Sequence, residues 1–394
     1  CRNAFPPSDA YYDWGFRLLS SAAEPSEWAQ SPVGEQGTQP TRIGGAKKLQ
    51  SVAAPRVQDQ PEVVNIANVD QFVVATDLET IQFQLVRKPA WAVEFARDQF
   101  GAYADLQIES KDSSLVRQRL RWIPPGRFMM GSPESEQGRS DDETEHQVTI
   151  SHGYWIFDSP CTQQLWTAVM GDNPSHFVDP ERPVETVTWE QAKNFAGELT
   201  RRVNKRHPGV FGATPFRLPT EAEWEFACRA GTTSAIYTGE LDIEAPANAP
   251  ALEAIAWYCG NSGVDYDLKT SEDITNYEWF EARRTKFSVA GTRKVKRKAP
   301  NRHGLYDMLG NVWEWCSDWY GDYDATEQLN PLGPESGSDR VLRGGGWLDL
   351  ARFARSAYRD ALHPGDANNC WGFRLLSSAH PINQQAERES APRT

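Results

Sequence analysis

Cysteine and histidine are the side chains that would carry redox or metal chemistry in this chain, and their spacing argues against the simplest sites. Cys1, Cys161, Cys228, Cys259, Cys316 and Cys370 are scattered with no Cys-x-x-Cys pair, which speaks against structural zinc and for reduced, buried thiols. His146, His152, His176, His207, His303, His363 and His380 include no i, i+4 pair, so no helix face presents two imidazoles to one metal. The one basic run, Arg293 to Arg302, stands in a chain of net charge -13. Nucleic-acid binding draws its affinity from clustered Lys and Arg, so no nucleic-acid partner is expected and the run reads as a solvated loop. No stretch of 18 apolar residues occurs and the first residues lack a signal-peptide pattern; no membrane insertion is expected, and the cytoplasm is the default location.

The strongest pattern is a repeat. Residues 1–22, CRNAFPPSDAYYDWGFRLLSSA, recur as residues 358–379, YRDALHPGDANNCWGFRLLSSA. Eight aligned pairs differ and the other 14 of the 22 are identical, with every difference in the first 13 positions. The differing pairs are Cys1/Tyr358, Asn3/Asp360, Phe5/Leu362, Pro6/His363, Ser8/Gly365, Tyr11/Asn368, Tyr12/Asn369 and Asp13/Cys370. This is a framework strand preceded by a loop free to vary. Residues 1–22 then read as the remnant of an upstream copy of the same C-terminal element.

Residues 23–60, rich in Pro, Gly, Ser and Gln, read as linker. Over 61–116, QFVVATD, IQFQLVR, WAVEFAR and YADLQIE alternate apolar and polar residues, which predicts a small β-rich domain or extension. A larger unit opens at Arg117. Thr188 begins one helix, with Trp189, Ala192, Phe195, Ala196 and Leu199 on one face. Thr220 begins a second, where Thr220 and Glu223 form a capping box and Gly231 is the C′ residue. The rest is rich in Gly, Asn, Asp and Trp with little periodicity, which gives an α+β unit with much irregular loop. The charged segment 265–287 is expected to project from the surface, and the polar tail 381–394 to be disordered.

The larger unit resembles the formylglycine-generating enzyme, or sulfatase-modifying-factor, domain, a C-type-lectin-like fold. The blocks that carry the resemblance are PPGRFMMGS (124–132), PVETVTWEQA (183–192), FRLPTEAEWEFACRAG (216–231), AWYCGNSG (256–263), NRHGLYDMLGNVWEWCSDWY (301–320), RVLRGGGW (340–347) and WGFRLLS (371–377). They set the domain at 117–380. Arg343 and Arg374 within them are expected to brace loops through carboxylates or carbonyls.

The resemblance implies a copper site built from two cysteines that follow the RGGxW-type block, because copper(I) requires soft thiolates. Those positions hold Asp349 and Ala354, and Cys370 is alone on its loop. Neither copper nor the iron of a related branch is expected, the latter because residues 61–116 contain no histidine. The resemblance also implies a structural calcium held by the carbonyls of Asp307, Gly310 and Val312 and the side chain of Glu314. The equal alternative is that Glu314 forms an internal salt bridge.

The same scaffold carries the variable proteins of diversity-generating retroelements, and residues 340–379 are similar to such a variable region. In those proteins, mutation of Asn-type codons at their adenines leaves the third base a pyrimidine. Every residue in the eight differing pairs, and Leu348, Asp349, Leu350, Phe353 and Ala354, is encodable by a codon ending in a pyrimidine. Drift between two paralogous domains is the competing account. The expected binding surface is Leu348, Asp349, Leu350, Phe353, Ala354, Asp360, Leu362, His363, Gly365, Asn368, Asn369 and Cys370, and its ligand a macromolecule, a protein. The alternatives are a metal-dependent oxidoreductase with an altered metal site and a structural accessory domain.

Overall fold

The computed structural model describes residues 88–206, 216–282 and 286–378, together with the backbone of four short strands between 68 and 87. The first copy of the repeat, the 23–60 linker and the 381–394 tail lie outside the described residues.

The largest sheet is antiparallel and six-stranded, in the order Phe216–Arg217, Leu376–Ser378, Tyr154–Phe157, Leu115–Ile123, Gly101–Glu109, Ala92–Asp98. Its outer strands show why the residues are placed as they are. Leu106, Ile108, Val116 and Leu120 enter the core, while ion pairs cover polar positions on the neighbouring strands. Arg119 binds Asp105 at 2.8 and 3.1 Å, and Arg121 binds Asp98 at 2.7 and 2.8 Å. The strands expected in 61–116 are therefore present, but a domain break at 116/117 would fall inside the strand Leu115–Ile123. Residues 92–109 form the last two strands at one end of the main sheet, a pairing that alternation alone does not reveal.

A four-stranded sheet runs Arg359–Leu362, Arg340–Arg343, Trp313–Trp319, Trp371–Gly372, the last pair being parallel. A three-stranded sheet joins Gln328–Leu329, His146–Ile150 and Gly126–Met130. The repeated element thus contributes to two sheets.

Helix α1 (Gln163–Met170) was not expected; Thr162 caps its start, and Gly171, with φ 93°, ends it. Helix α2 (Trp189–Arg206) buries Trp189, Ala192, Phe195, Ala196, Leu199 and Val203, the predicted face with one more turn. Helix α3 (Glu221–Arg229) has the predicted capping box, and Ala230 already adopts the left-handed conformation before Gly231 at φ 90°. The segment 265–287 does not project: Ile274 is fully buried, and Tyr266, Tyr277 and Trp279 pack against the core. Its aromatic residues outweigh its charges. The basic run is likewise held in place, with Lys294 on Glu181, Lys296 on Asp158, and Arg293 over the rings of Trp257 and Tyr266.

Candidate functional site

The site begins with the arginines that hold its floor. Arg343 donates to the carbonyls of Ser356, Ala357 and Tyr358 and to Glu225. Arg359 forms a two-pronged pair with Glu221 at 2.9 and 2.7 Å, and Arg355 pairs with Glu143. Arg374 grips Glu314 at 2.6 and 2.7 Å and donates to the carbonyls of Phe157, Tyr306 and Asp307. Arg343, Arg355 and Arg374 are fully buried. Two-pronged geometry and the extra carbonyl acceptors offset the cost of burying such charges. Both bracing roles expected for Arg343 and Arg374 are realised.

On this floor, residues 358–378 divide in two. From 371 onward the segment is held by side chains: Trp371 stands edge-on to Trp315, Phe373 packs on Trp166 and Phe195, and Gly372 to Ser377 are all buried. Before 371, three of the differing positions, 368 to 370, are anchored through backbone carbonyls. Thr186 N–H donates to the carbonyl of Asn368, the Trp347 indole to that of Asn369, and Trp313 N–H to that of Cys370. Asp360, His363 and Gly365 are exposed, and Leu362, Asn368 and Asn369 half-buried. These six stand where a ligand could reach them.

A second group lies around Gly346. A Cβ there would come within 3.0 Å of the Asp349 carboxylate, 3.2 Å of Cys370 and 3.3 Å of Trp313. Asp349 accepts from the Trp313 indole at 2.7 Å and from Gly346 N–H at 2.8 Å. Burial pushes its carboxyl up to about 7 against those two donors. Phe353 and Tyr358 complete the corner, 4.7 Å apart and 6.4 and 5.8 Å from Trp313. Leu348 and Leu350 are half-buried at its edge. Sequence reasoning left out Trp313 and Tyr358, although Tyr358 heads the differing pairs. It also left out Glu272, which accepts from Asn369 at 3.1 Å and meets His176 at 3.2 Å.

Two expected surface positions are not surface. Ala354 is 2% exposed because the turn Ala351–Phe353 presses it into the core. Cys370 is also buried, and burial pushes its thiol well up. These residues do not fit copper(I): Asp349 offers an engaged carboxylate, Ala354 a methyl group, and Cys370 one protonated thiol. Cys161, Cys228, Cys259, Cys316 and Cys370 are all buried.

The calcium set fares no better. Both oxygens of Glu314 accept from Arg374, one of them also from the Trp224 indole at 2.8 Å, and the Asp307 carbonyl accepts from Arg374 too. The Gly310 carbonyl accepts from Val312 N–H at 3.0 Å. A divalent ion here would face a guanidinium across its own ligands, so the salt bridge is the alternative that the geometry favours. Gly310 has a separate duty: at φ 76°, any Cβ would lie 2.3 Å from the Trp257 carbonyl.

Comparison with known proteins settles the framework. Residues 109–379 match the sulfatase-modifying factor enzyme 1-like domain. The chain belongs to this family. It is 32% identical over 302 residues to the formylglycine-generating enzyme of Streptomyces coelicolor, across 65% of this chain and 88% of that protein. It is 30% identical over 328 residues to serine/threonine-protein kinase pkn1 of Chlamydia pneumoniae, across 76% of this chain but only 42% of that protein. Among solved structures it is similar to Treponema denticola variable protein 1, at 30% identity and a TM-score of 0.54, covering 69% of this chain and 98% of that one. The fold is thus the C-type-lectin-like, α+β formylglycine-generating-enzyme fold expected from the sequence, rich in loop and preceded by further strands.

Proposed function

We propose that this chain is a non-catalytic binding protein that presents a variable surface, formed by residues 348–353 and 358–369 with the corner around Trp313, to a protein ligand. The observation that carries the reading is the division of the repeated element. Three of the positions that differ between the copies, 368 to 370, are anchored by backbone carbonyls, which every residue type supplies, whereas the unchanged strand adds to its backbone pairing the side-chain contacts of Phe373 and Arg374. Change does not simply follow exposure: Asp366 and Ala367 are exposed yet identical in both copies, while buried Cys370 differs. Drift would vary exposed positions first. Directed rewriting of particular codons, as in a diversity-generating retroelement, produces this pattern, and the likeness to a variable protein supports it. Half-buried aromatic and small polar residues on a rigid base suit adaptable binding.

Sequencing the locus and its neighbourhood tests the retroelement. A reverse-transcriptase gene, an Asn-rich template repeat, and substitutions confined to codons of the AAC and AAT type are expected; their absence removes that part of the proposal. An oxidation assay on a cysteine peptide with added copper tests the binding reading. No turnover is expected, and stoichiometric tight copper with turnover would replace it by an oxidoreductase.

A further inference from the structure

The basic run Arg293 to Arg302 plays no part in the variable surface, and its charges are not all paired. Lys294 meets Glu181 at 2.7 Å and Lys296 meets Asp158 at 2.7 Å. Arg293 and Lys298 instead converge on one indole. The Arg293 guanidinium carbon lies 4.6 Å, and the Lys298 ammonium 3.8 Å, from the centre of the Trp257 ring. Among the described residues neither forms an ion pair. Their acceptors are main-chain carbonyls, those of Ser262, Val264 and Asp265 for Arg293 and that of Glu253 for Lys298.

Donors exceed acceptors around this indole. Arginine offers five N–H groups and the lysine ammonium three. Arg293 donates twice from Nη1 and once from Nη2. That leaves Nε–H and one Nη2–H, the edge with which a guanidinium grips two oxygens at once. Lys298 donates once, and the Trp257 indole N–H meets no acceptor among the described residues. Neighbouring carboxylates fall short of these donors. Asp307 accepts from Lys296 N–H and Asn311, while Glu253 accepts from Asn261 at 3.3 Å and keeps one buried oxygen unpaired. Burial lowers the Lys298 ammonium, with the charge of Arg293 adding to the effect, and burial lowers Arg293 in turn, with Arg182 nearby.

We propose that Arg293 and Lys298, carried on Trp257, form a binding site for a phosphate group, free or esterified. A phosphate bears close to two negative charges at neutral pH and so answers both cations, whereas a carboxylate leaves one unanswered. The free edge of Arg293 supplies two-pronged contact and Lys298 a point charge. Arg297 and Arg302, exposed on the same run, add to the attraction at longer range.

Phosphorus NMR of inorganic phosphate, titrated with the full-length chain at constant ionic strength, tests the site without reference to what the variable surface binds. Saturable line broadening is expected. Lys298→Gln should weaken binding by about tenfold or more. Arg293→Lys, which keeps a charge but loses the two-pronged edge, should weaken it as well. Arg201→Gln, at an exposed cation on helix α2, should leave it unchanged, and each variant is expected to keep the near-ultraviolet circular dichroism of the unaltered chain. Absence of saturable broadening, or unaltered affinity in both K298Q and R293K, overturns the proposal. Acetate that displaces phosphate at equal concentration would assign the site to carboxylates, and a single-stranded oligonucleotide that displaces it at far lower concentration would make the run a nucleic-acid patch; either result also overturns it. O-phosphoserine separates the two sources: tighter binding than inorganic phosphate assigns the site to an esterified phosphate, and weaker binding to the free ion.

Discussion

Residues 358–370 and 371–378 are adjacent, yet they meet the rest of the molecule in opposite ways. Apart from Arg359 on Glu221, the first is tied down by carbonyl oxygens of 368 to 370 that accept from Thr186, Trp347 and Trp313, and the side chains of Asp360, His363 and Gly365 to Ala367 are left to solvent. The second is tied down also by what its side chains are: a guanidinium on Glu314, a phenyl ring edge-on to the stacked pair Trp166 and Phe195, leucines in the core. Loop conformation and loop identity are therefore separable here, whereas in the strand they are the same thing. A fold in which stability is lodged in the strand and its buried ion pairs can change the loop without losing its shape.

Removing the strand's partner should have the largest effect. Glu314→Ala leaves the fully buried Arg374 guanidinium without its carboxylate, and a loss of about 3–5 kcal/mol is expected in urea unfolding; a loss near zero would mean that the framework does not depend on this pair. Next is Asp318, which accepts from Glu221 N–H and the Ser317 hydroxyl. Burial, with Glu221 nearby, pushes its carboxyl up to about 7. A carboxyl raised in the folded state binds its proton more tightly there than in the unfolded chain. Stability from this group is thus full below about pH 4 and declines as pH rises toward 7. Asp318→Asn should stabilise the protein at pH 8 by on the order of 2–4 kcal/mol and give no gain at pH 4, as read by paired melts.

The loop should respond far less. Asp360→Ala, His363→Ala and Asn368→Ala are each expected to change stability by no more than about 0.5 kcal/mol while altering ligand capture; a loss well above 1 kcal/mol would erase the contrast between loop and strand. The smallest effect is expected from calcium. Adding it, or removing it with a chelator, should leave the melting temperature where it was, because Arg374 occupies Glu314. A chelator-sensitive melt would return Glu314 to the metal.

Much of the framework was legible in the sequence because its signals are local. The capping box of α3 and the apolar face of α2 each lie within a few turns of chain, and the family blocks fix the fold class. Helix α1 escaped notice because eight residues show too little period, although Thr162 and Gly171 mark both of its ends. The place of residues 92–109 in the main sheet depends on pairing with a strand that could as well have started a new domain. For the site, codon reasoning selected positions by what could vary, and it cannot distinguish exposed His363 from buried Ala354. That difference arises from the turn at Ala351–Phe353. The make-up of the corner was hidden for a similar reason: Asp349 was read as a missing thiol and as a variable surface position, and only the fold brings it to Trp313 and Gly346.

The position of Leu376–Ser378 within the largest sheet has a consequence for synthesis. Its two neighbours, Tyr154–Phe157 and Phe216–Arg217, leave the ribosome some 160 or more residues earlier. Until Leu376–Ser378 emerges, both present unpaired N–H and C=O groups along the gap between them, the kind of edge that invites foreign strands. This sheet is completed only once residue 378 has been made, and the interval before that leaves the nascent chain exposed to mispairing.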